Sequence, residues 1–292
     1  MILQRNRFPY FCLIPGLVLV ALFSLFPFID TLVLSFKNSK TILPDETFNG
    51  FHNYKVLVSY SRFWHALFFT LLFTFVSISL EAIVGLCFGL MLNLISEKKG
   101  FLRIFILIPW IIPTVVTARM WQWMLDYNLG ILNYLLGIIE IGRINWLGNS
   151  FVAFLSLVMA DVWKTSPFVA IIVWAGLSAI PREIYKASII DGANSWQSFR
   201  YITLPLILPI LGVAVLFRAI DTLRIFDLVY VLTGGGPGGA TETLSVYSYR
   251  LFFYKGDFGQ GAAASVFILL LVAGFSYFYM KKSFGKTETN QP

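Results

Sequence analysis

The chain has 292 residues, is 58% hydrophobic and only 13% charged, and carries a net charge of +7. Its mean hydropathy is +0.76, and a soluble domain runs nearer half apolar and a quarter charged. A soluble globule of this composition is excluded, because too little polar side chain is available to cover its surface. The basic excess does not indicate nucleic acid either: Lys and Arg gather at the ends of apolar runs, where they set orientation and meet anionic headgroups.

Six apolar runs are each long enough to cross a hydrocarbon core of about 30 Å at ~1.5 Å per residue. They cover roughly 11–36, 64–95, 101–124, 151–179, 206–232 and 261–280. The first run follows Arg5 and Arg7 like a secretory signal. It is too long for one, holds Pro15 and Pro27 and lacks a small-residue cleavage site, so it reads as a retained first helix. Cys12 and Cys87 both fall in apolar runs, and neither a disulfide nor a cysteine metal site is expected. His52 and His65 have no second strong ligand at metal-binding spacing, and no metal site is expected.

Lys and Arg counts set the orientation. Eleven (Arg5, Arg7, Lys98, Lys99, Arg103, Arg182, Lys186, Arg200, Lys281, Lys282, Lys286) fall on one side and seven (Lys37, Lys40, Lys55, Arg62, Arg143, Arg250, Lys255) on the other. The positive-inside rule then puts both termini and the 181–205 loop in the cytoplasm. On the outer side, 131–141 reads as a short apolar helix at the surface. The run Thr233-Gly234-Gly235-Gly236-Pro237-Gly238-Gly239 reads as a flexible turn. Gly234 and Gly239 have the opening spacing of a phosphate loop, but Ala240 stands where the lysine is required, which argues against nucleotide binding.

The runs carry ionisable residues whose burial in lipid would cost about 2.5–3.5 kcal/mol each on insertion scales. The fifth holds Arg218, Asp221, Arg224 and Asp227 at intervals of three. The fourth holds Asp161 and Lys164, also three apart. Glu81 lies deep in the second and Arg119 near the outer end of the third. Two readings stand: the charges neutralise one another and fix packing, or some line a path for a polar solute. Bases nearly match acids in number, which argues against a proton relay. Pro109 and Pro113 must kink or break the third run, either for packing alone or to open a cavity beside Trp110, whose ring suits a sugar face.

The 181–205 loop predicts a helix from Pro181 to about Asp191, a left-handed stop at Gly192, and a second short helix capped by Ser195. Pro205 and Pro209 then mark the start of the fifth span. A helix pair lying on the membrane and a helix pair docking a soluble partner both fit the composition. Here the residues themselves carry a resemblance. The pattern Ala187-Ser188-x-x-Asp191-Gly192-Ala193, then Ile202-x-Leu204-Pro205, resembles the EAA loop of ABC importer permeases. Lys186 and Ser188 depart from it where Glu and Ala are common. Phe48-x-Gly50-x-x-Asn53-Tyr54, Pro109-Trp110-x-x-Pro113, Pro167-Phe168 before Ala175-Gly176-Leu177, and Phe226-Asp227-x-x-Tyr230-x-Leu232-Thr233 followed by Gly234-Gly235-Gly236-Pro237 are similar to the carbohydrate-uptake branch, the maltose-type and glycerol-phosphate-type first permeases.

The resemblance implies an all-α membrane protein of six transmembrane helices, the type I ABC importer permease fold with a cytoplasmic coupling helix. It implies an N-terminal helix and outer loop (1–63), a permease core (64–281) and a cytoplasmic tail (282–292). The implied partners are a second permease subunit, two ATPase subunits that use ATP and Mg, an extracytoplasmic solute-binding protein, membrane lipid and a carbohydrate or related polar solute. The setting is a bacterial or archaeal plasma membrane. The chain itself needs no cofactor and is expected not to be an enzyme. Glu183, Ala187, Asp191, Gly192 and Ala193 are the expected coupling residues. Trp110, Asp161, Asp227 and Tyr230 are the candidates for solute contact. An ion-coupled transporter using the buried carboxylates is the alternative. An intramembrane enzyme lacks any nucleophile–base pair that the sequence places together.

Overall fold

The computed structural model describes residues 8–41, 43–94 and 101–284. Arg5, Arg7, Lys98, Lys99 and Lys286 of the charge count, and most of the 282–292 tail, lie outside these residues. In order, the helices are α1 (Phe8–Val20), α2 (Phe26–Leu34), α3 (His52–Ser59), α4 (Ser61–Leu94), α5 (Phe101–Ile111), α6 (Thr114–Met124) and α7 (Ile131–Ile138). They continue as α8 (Ser150–Ser178), α9 (Arg182–Ile190), α10 (Ser195–Ser198), α11 (Leu204–Leu223), α12 (Asp227–Leu232), α13 (Leu244–Phe253) and α14 (Phe258–Phe284). A wide turn over Ala21–Leu25 joins α1 to α2. An antiparallel hairpin, β1 (Lys37–Lys40) with β2 (Leu43–Phe48), pairs Lys37 with Phe48 and Asn38 with Thr47.

Among the described residues, five helical stretches are long and apolar enough to cross a membrane: Leu13–Leu34, Ser61–Leu94, Ser150–Ser178, Ser195–Leu223 and Phe258–Lys282. The pair Arg103–Ile111 and Thr114–Met124 qualifies as a sixth only if joined, and it is bent by 98°. The break falls at Pro113, which caps α6 in extended geometry; Pro109 is tolerated inside α5.

Two compact units divide the chain. One combines Met1–Phe63 with Tyr247–Leu270. Within it, Asn53 donates to the carbonyls of Ser35 and Lys37 at 2.9 and 2.8 Å and ties α3 to the hairpin. Lys40 pairs with Asp257 at 3.8 Å.

The other unit, Trp64–Val246 with Leu271–Pro292, holds the functional residues. Its α8 is the most enclosed of the spans, with two thirds of its apolar window buried. Asn149 starts α8 by accepting from the N–H groups of Phe151 and Val152, two of the donors that a helix start leaves without partners. Gly85 and Gly89 of α4 let α8 approach closely: a Cβ on Gly85 would sit 2.5 Å from Val169 Cβ, and one on Gly89 2.6 Å from Val173 Cγ1. Small residues four apart bring membrane helices into backbone contact in this way. Farther along α8, Gly176 accepts Ile210 of α11, whose Cδ1 lies 2.7 Å from where a Cβ would be.

Three local expectations are corrected. The fifth span does not run to 232; α11 ends at Leu223 and α12 begins at Asp227. Thr243 Oγ1 donates to the carbonyl of Ile225 at 3.1 Å, claiming an acceptor that a continuous helix would use. The second loop helix is capped by Asn194, not Ser195: Asn194 and Gln197 form a reciprocal capping box, in which an amide replaces the usual hydroxyl. That helix is also not separated from the fifth span. A wide turn over Phe199–Thr203, closed by Leu204 N–H donating to Phe199 O, carries it into α11; Pro205, which has no N–H to donate, falls in the first turn of α11.

Candidate functional site

Glu81 on α4 is fully buried, and Arg218 on α11 reaches it in a two-point contact, Nε to Oε2 at 2.6 Å and Nη2 to Oε1 at 3.1 Å. Fork-to-carboxylate pairing is the strongest arrangement these groups offer. Asp161 Oδ1 on α8 lies 3.7 Å from Arg218, and Thr222 Oγ1 accepts from the same guanidinium at 3.1 Å. The expected neighbour pairing along α11 is therefore secondary. Arg218 lies 3.8 Å from Asp221, while Arg224 and Asp221 form an exposed pair at 2.7 Å.

Lys164 does not close the expected pair with Asp161. Its Nζ donates to the carbonyls of Ile112 at 2.6 Å and Trp110 at 3.5 Å. The break at Pro113 leaves the last carbonyls of α5 without helical donors. A cation at a helix C-terminus also complements the helix dipole. Arg103, over the Trp174 ring at 4.5 Å, holds the other end of α5 against α8.

Beside the break opens a cavity of about 380 Å³ whose wall includes Trp110, Thr114, Lys164, Arg218, Arg224 and Asp227. The bent span, α8, α11 and the start of α12 thus meet around one polar space. Of the candidate solute contacts, Trp110 and Asp227 are exposed at its wall. Asp161 belongs to the wall but is only 3% exposed and faces Arg218. Tyr230 lies outside the lining, its ring stacked on Phe226 at 5.0 Å. Glu81's pairing was missed by the sequence reading, as was Lys164's role; the one signal was that Glu81 is a lone acid deep in an apolar run.

The 181–205 loop forms a second site. Gly192 adopts φ +78°. Its N–H donates to Ile189 O and that of Ala193 to Ser188 O, a Schellman closure that needs a left-handed residue. Tyr185 Oη with Thr203 Oγ1 at 3.0 Å, and Ser188 Oγ with Ser198 Oγ at 3.2 Å, clasp α9 to the following helix. Glu183, Ala187, Asp191 and Gly192 are exposed and Ala193 is half-buried. Ile189, Ile190 and Trp196 are exposed on the same loop.

Membrane-crossing helices, one of them broken beside a polar cavity, together with a rigid helix–corner–helix loop, define a membrane permease. The chain belongs to the family of binding-protein-dependent transport system inner membrane components, matched over residues 83–286. It is thus a permease subunit of an ABC importer, a transport component of the inner membrane rather than an enzyme. It is 44% identical over 278 residues to the trehalose/maltose transport system permease protein MalF of Thermococcus litoralis, covering 95% of this chain and 94% of that one. It is 32% identical over 280 residues to the trehalose transport system permease protein SugA of Mycobacterium tuberculosis, covering 96% and 89%. The fold matches a chain of a bacterial ABC transporter involved in the import of the acidic polysaccharide alginate, with TM-score 0.84 at 23% identity and 96% of each chain covered. The resemblance read from the EAA-like loop is borne out.

Proposed function

We propose that this chain forms half of the solute pathway of an ATP-driven sugar importer, paired with a second permease subunit. Two ATPase subunits, using ATP and Mg, power it from the cytoplasm, and an extracytoplasmic binding protein delivers the sugar. The observation that carries the pathway is the polar cavity of about 380 Å³ at the break between α5 and α6. It offers an indole face with paired charges around it, the combination that holds a hydroxyl-rich solute in an otherwise apolar setting. The names of the relatives support trehalose or maltose as the first sugars to try. Trp110 and Asp227 contact the sugar, with Asp161 and Tyr230 supporting Arg218 and Phe226 behind them.

Helix α9 docks on an ATPase subunit through Glu183, Ala187 and Asp191, with Gly192 and Ala193 forming the corner. ATPase closure pushes this corner and tilts the spans between inward and outward openings. Both termini lie in the cytoplasm, consistent with six crossings when the bent pair counts as one. The test is uptake of labelled trehalose and maltose into proteoliposomes holding the whole complex. Uptake that needs ATP and binding protein, and that falls in Trp110→Ala and Asp227→Ala, is expected. Uptake that ignores ATP and collapses with a protonophore would return the reading to ion coupling.

A further inference from the structure

Helix α8 has two chemically opposite faces. Asp161, Lys164 and Thr165 line the polar cavity. Leu155, Val158, Met159 and Val162 line a separate groove of about 590 Å³, closed on its far side by Leu80 and Val84 of α4. At ~100° per residue these two faces lie roughly 120° apart around the helix.

The groove is apolar throughout. Its single hydroxyl, Ser156 Oγ, is already bonded to the Trp146 carbonyl at 3.3 Å. The rest of the lining is aliphatic or aromatic, so an occupant meets chiefly hydrocarbon there. The end of the groove is marked by Trp146, an amphipathic ring of the kind that sits at headgroup level. Its Nε1–H donates to Asn133 Oδ1 at 3.0 Å. Asn133 also accepts from Ile144 N and donates to the carbonyls of Tyr127 and Ile144. This clasp fixes α7 with Asn133 inward. Ile131, Tyr134, Leu135 and Ile138, spaced i, i+3, i+4, i+7, are left exposed as one stripe. A short helix with such a stripe, joined to a membrane span on each side, lies in the interfacial zone of the bilayer.

We infer that α4, α8 and Trp146 form a seat for one membrane phospholipid, its acyl chain in the groove and its headgroup end beside Trp146 and α7. Both groove helices are long and apolar enough to cross the membrane, and Leu80, Leu155 and Met159 of the lining are exposed, so the groove opens on the apolar outside of these spans. It is turned away from the polar cavity, the face on which solute and the second half of the pathway are expected. Lipid therefore fits this groove better than a protein neighbour does. The inference rests on membrane residence and not on the identity of the sugar.

The experiment uses the intact complex, washed in lipid-free detergent, with bound phospholipid counted by mass spectrometry. Val84→Phe and Val158→Phe, each placed to fill the groove, are compared with Ile83→Phe, at a neighbouring exposed position of α4 outside the lining. The parent and Ile83→Phe are expected to retain about one phospholipid more per copy of this chain than either filled variant. Should a filled variant fail to assemble, a Met159→Cys nitroxide in a Cys12→Ser, Cys87→Ser background gives the second reading: access to oxygen but not to a water-soluble nickel chelate. Equal phospholipid counts in all variants, or a label shielded from both reagents by the second permease, would overturn the assignment. Loss of ATP-driven uptake in the parent would instead count against the importer reading and leave the phospholipid count intact.

Discussion

Replacing Arg218 with Leu tests the charge cluster at its centre. The substitution leaves Glu81, fully buried, without its two-point partner, and Asp161, 3% exposed, without the guanidinium 3.7 Å away. Breaking a buried ion pair by removing one member costs about 3–5 kcal/mol, because the remaining charge has neither partner nor water. Here two carboxylates are stranded, so the upper part of that range is expected. Glu81→Gln should be milder, since Arg218 keeps Asp161 and Thr222. The double variant Glu81→Gln, Arg218→Leu should lose less than the sum of the two, with a coupling above about 1.5 kcal/mol for directly contacting groups. Thermal unfolding of the detergent-extracted complex reads all four corners of the cycle. A Tm for Arg218→Leu within a degree or two of the parent, or an additive cycle, would show that these charges are hydrated and that the cluster is not a packing device.

Gly89→Val should destabilise by about 1–3 kcal/mol through overpacking against Val173 and the Ala170 carbonyl, read as a lower Tm, whereas Gly137→Ala on α7, with open space around it, should be near neutral. Lys164→Met removes the donor from the carbonyls of Ile112 and Trp110. About 1–3 kcal/mol of stability should go with it, and sugar uptake should fall because Trp110 is no longer held; full uptake would show that Pro113 alone fixes the bend. In Gly192→Ala no atom lies within 4 Å of the new Cβ, so the penalty is the left-handed φ of +78° alone, about 1–2 kcal/mol. Binding-protein-stimulated ATP hydrolysis should drop about tenfold at ~1.4 kcal/mol per decade while the complex still assembles, and unchanged stimulation would remove the corner from coupling.

The spans were legible because lipid demands about 20 consecutive apolar residues, a signal that survives any detail of packing. The loop was legible because Gly192 and Pro205 impose local backbone states that neighbouring residues cannot. The break at Arg224–Phe226 was not, since no proline or glycine marks it and Thr243, which donates to the Ile225 carbonyl there, arrives from 18 residues downstream. Nor was the partner of Arg218, which lies 137 positions away, while Asp221 stood three positions on as a decoy. Lys164 misled in the same way, because Asp161 satisfied a spacing rule while the carbonyls at the Pro113 break offered more. Gly85 and Gly89 could have been found: small residues four apart in an apolar run are a readable sign of helix contact.

The continuity of the 195–223 helix has a mechanical result. Because the wide turn at Phe199–Thr203 stays hydrogen-bonded through Leu204 N–H to Phe199 O, the helix continues from the exposed Trp196 to the buried Arg218. The 29-residue helix acts as a single shaft of about 44 Å. A swing of about 5° about one end would carry the other by about 4 Å along the same ~44 Å arm, comparable to the width of a sugar ring. The angular travel needed to open or close the cavity wall is therefore small, and any substitution that adds a hinge between Ser195 and Arg218 would dissipate it before it arrived.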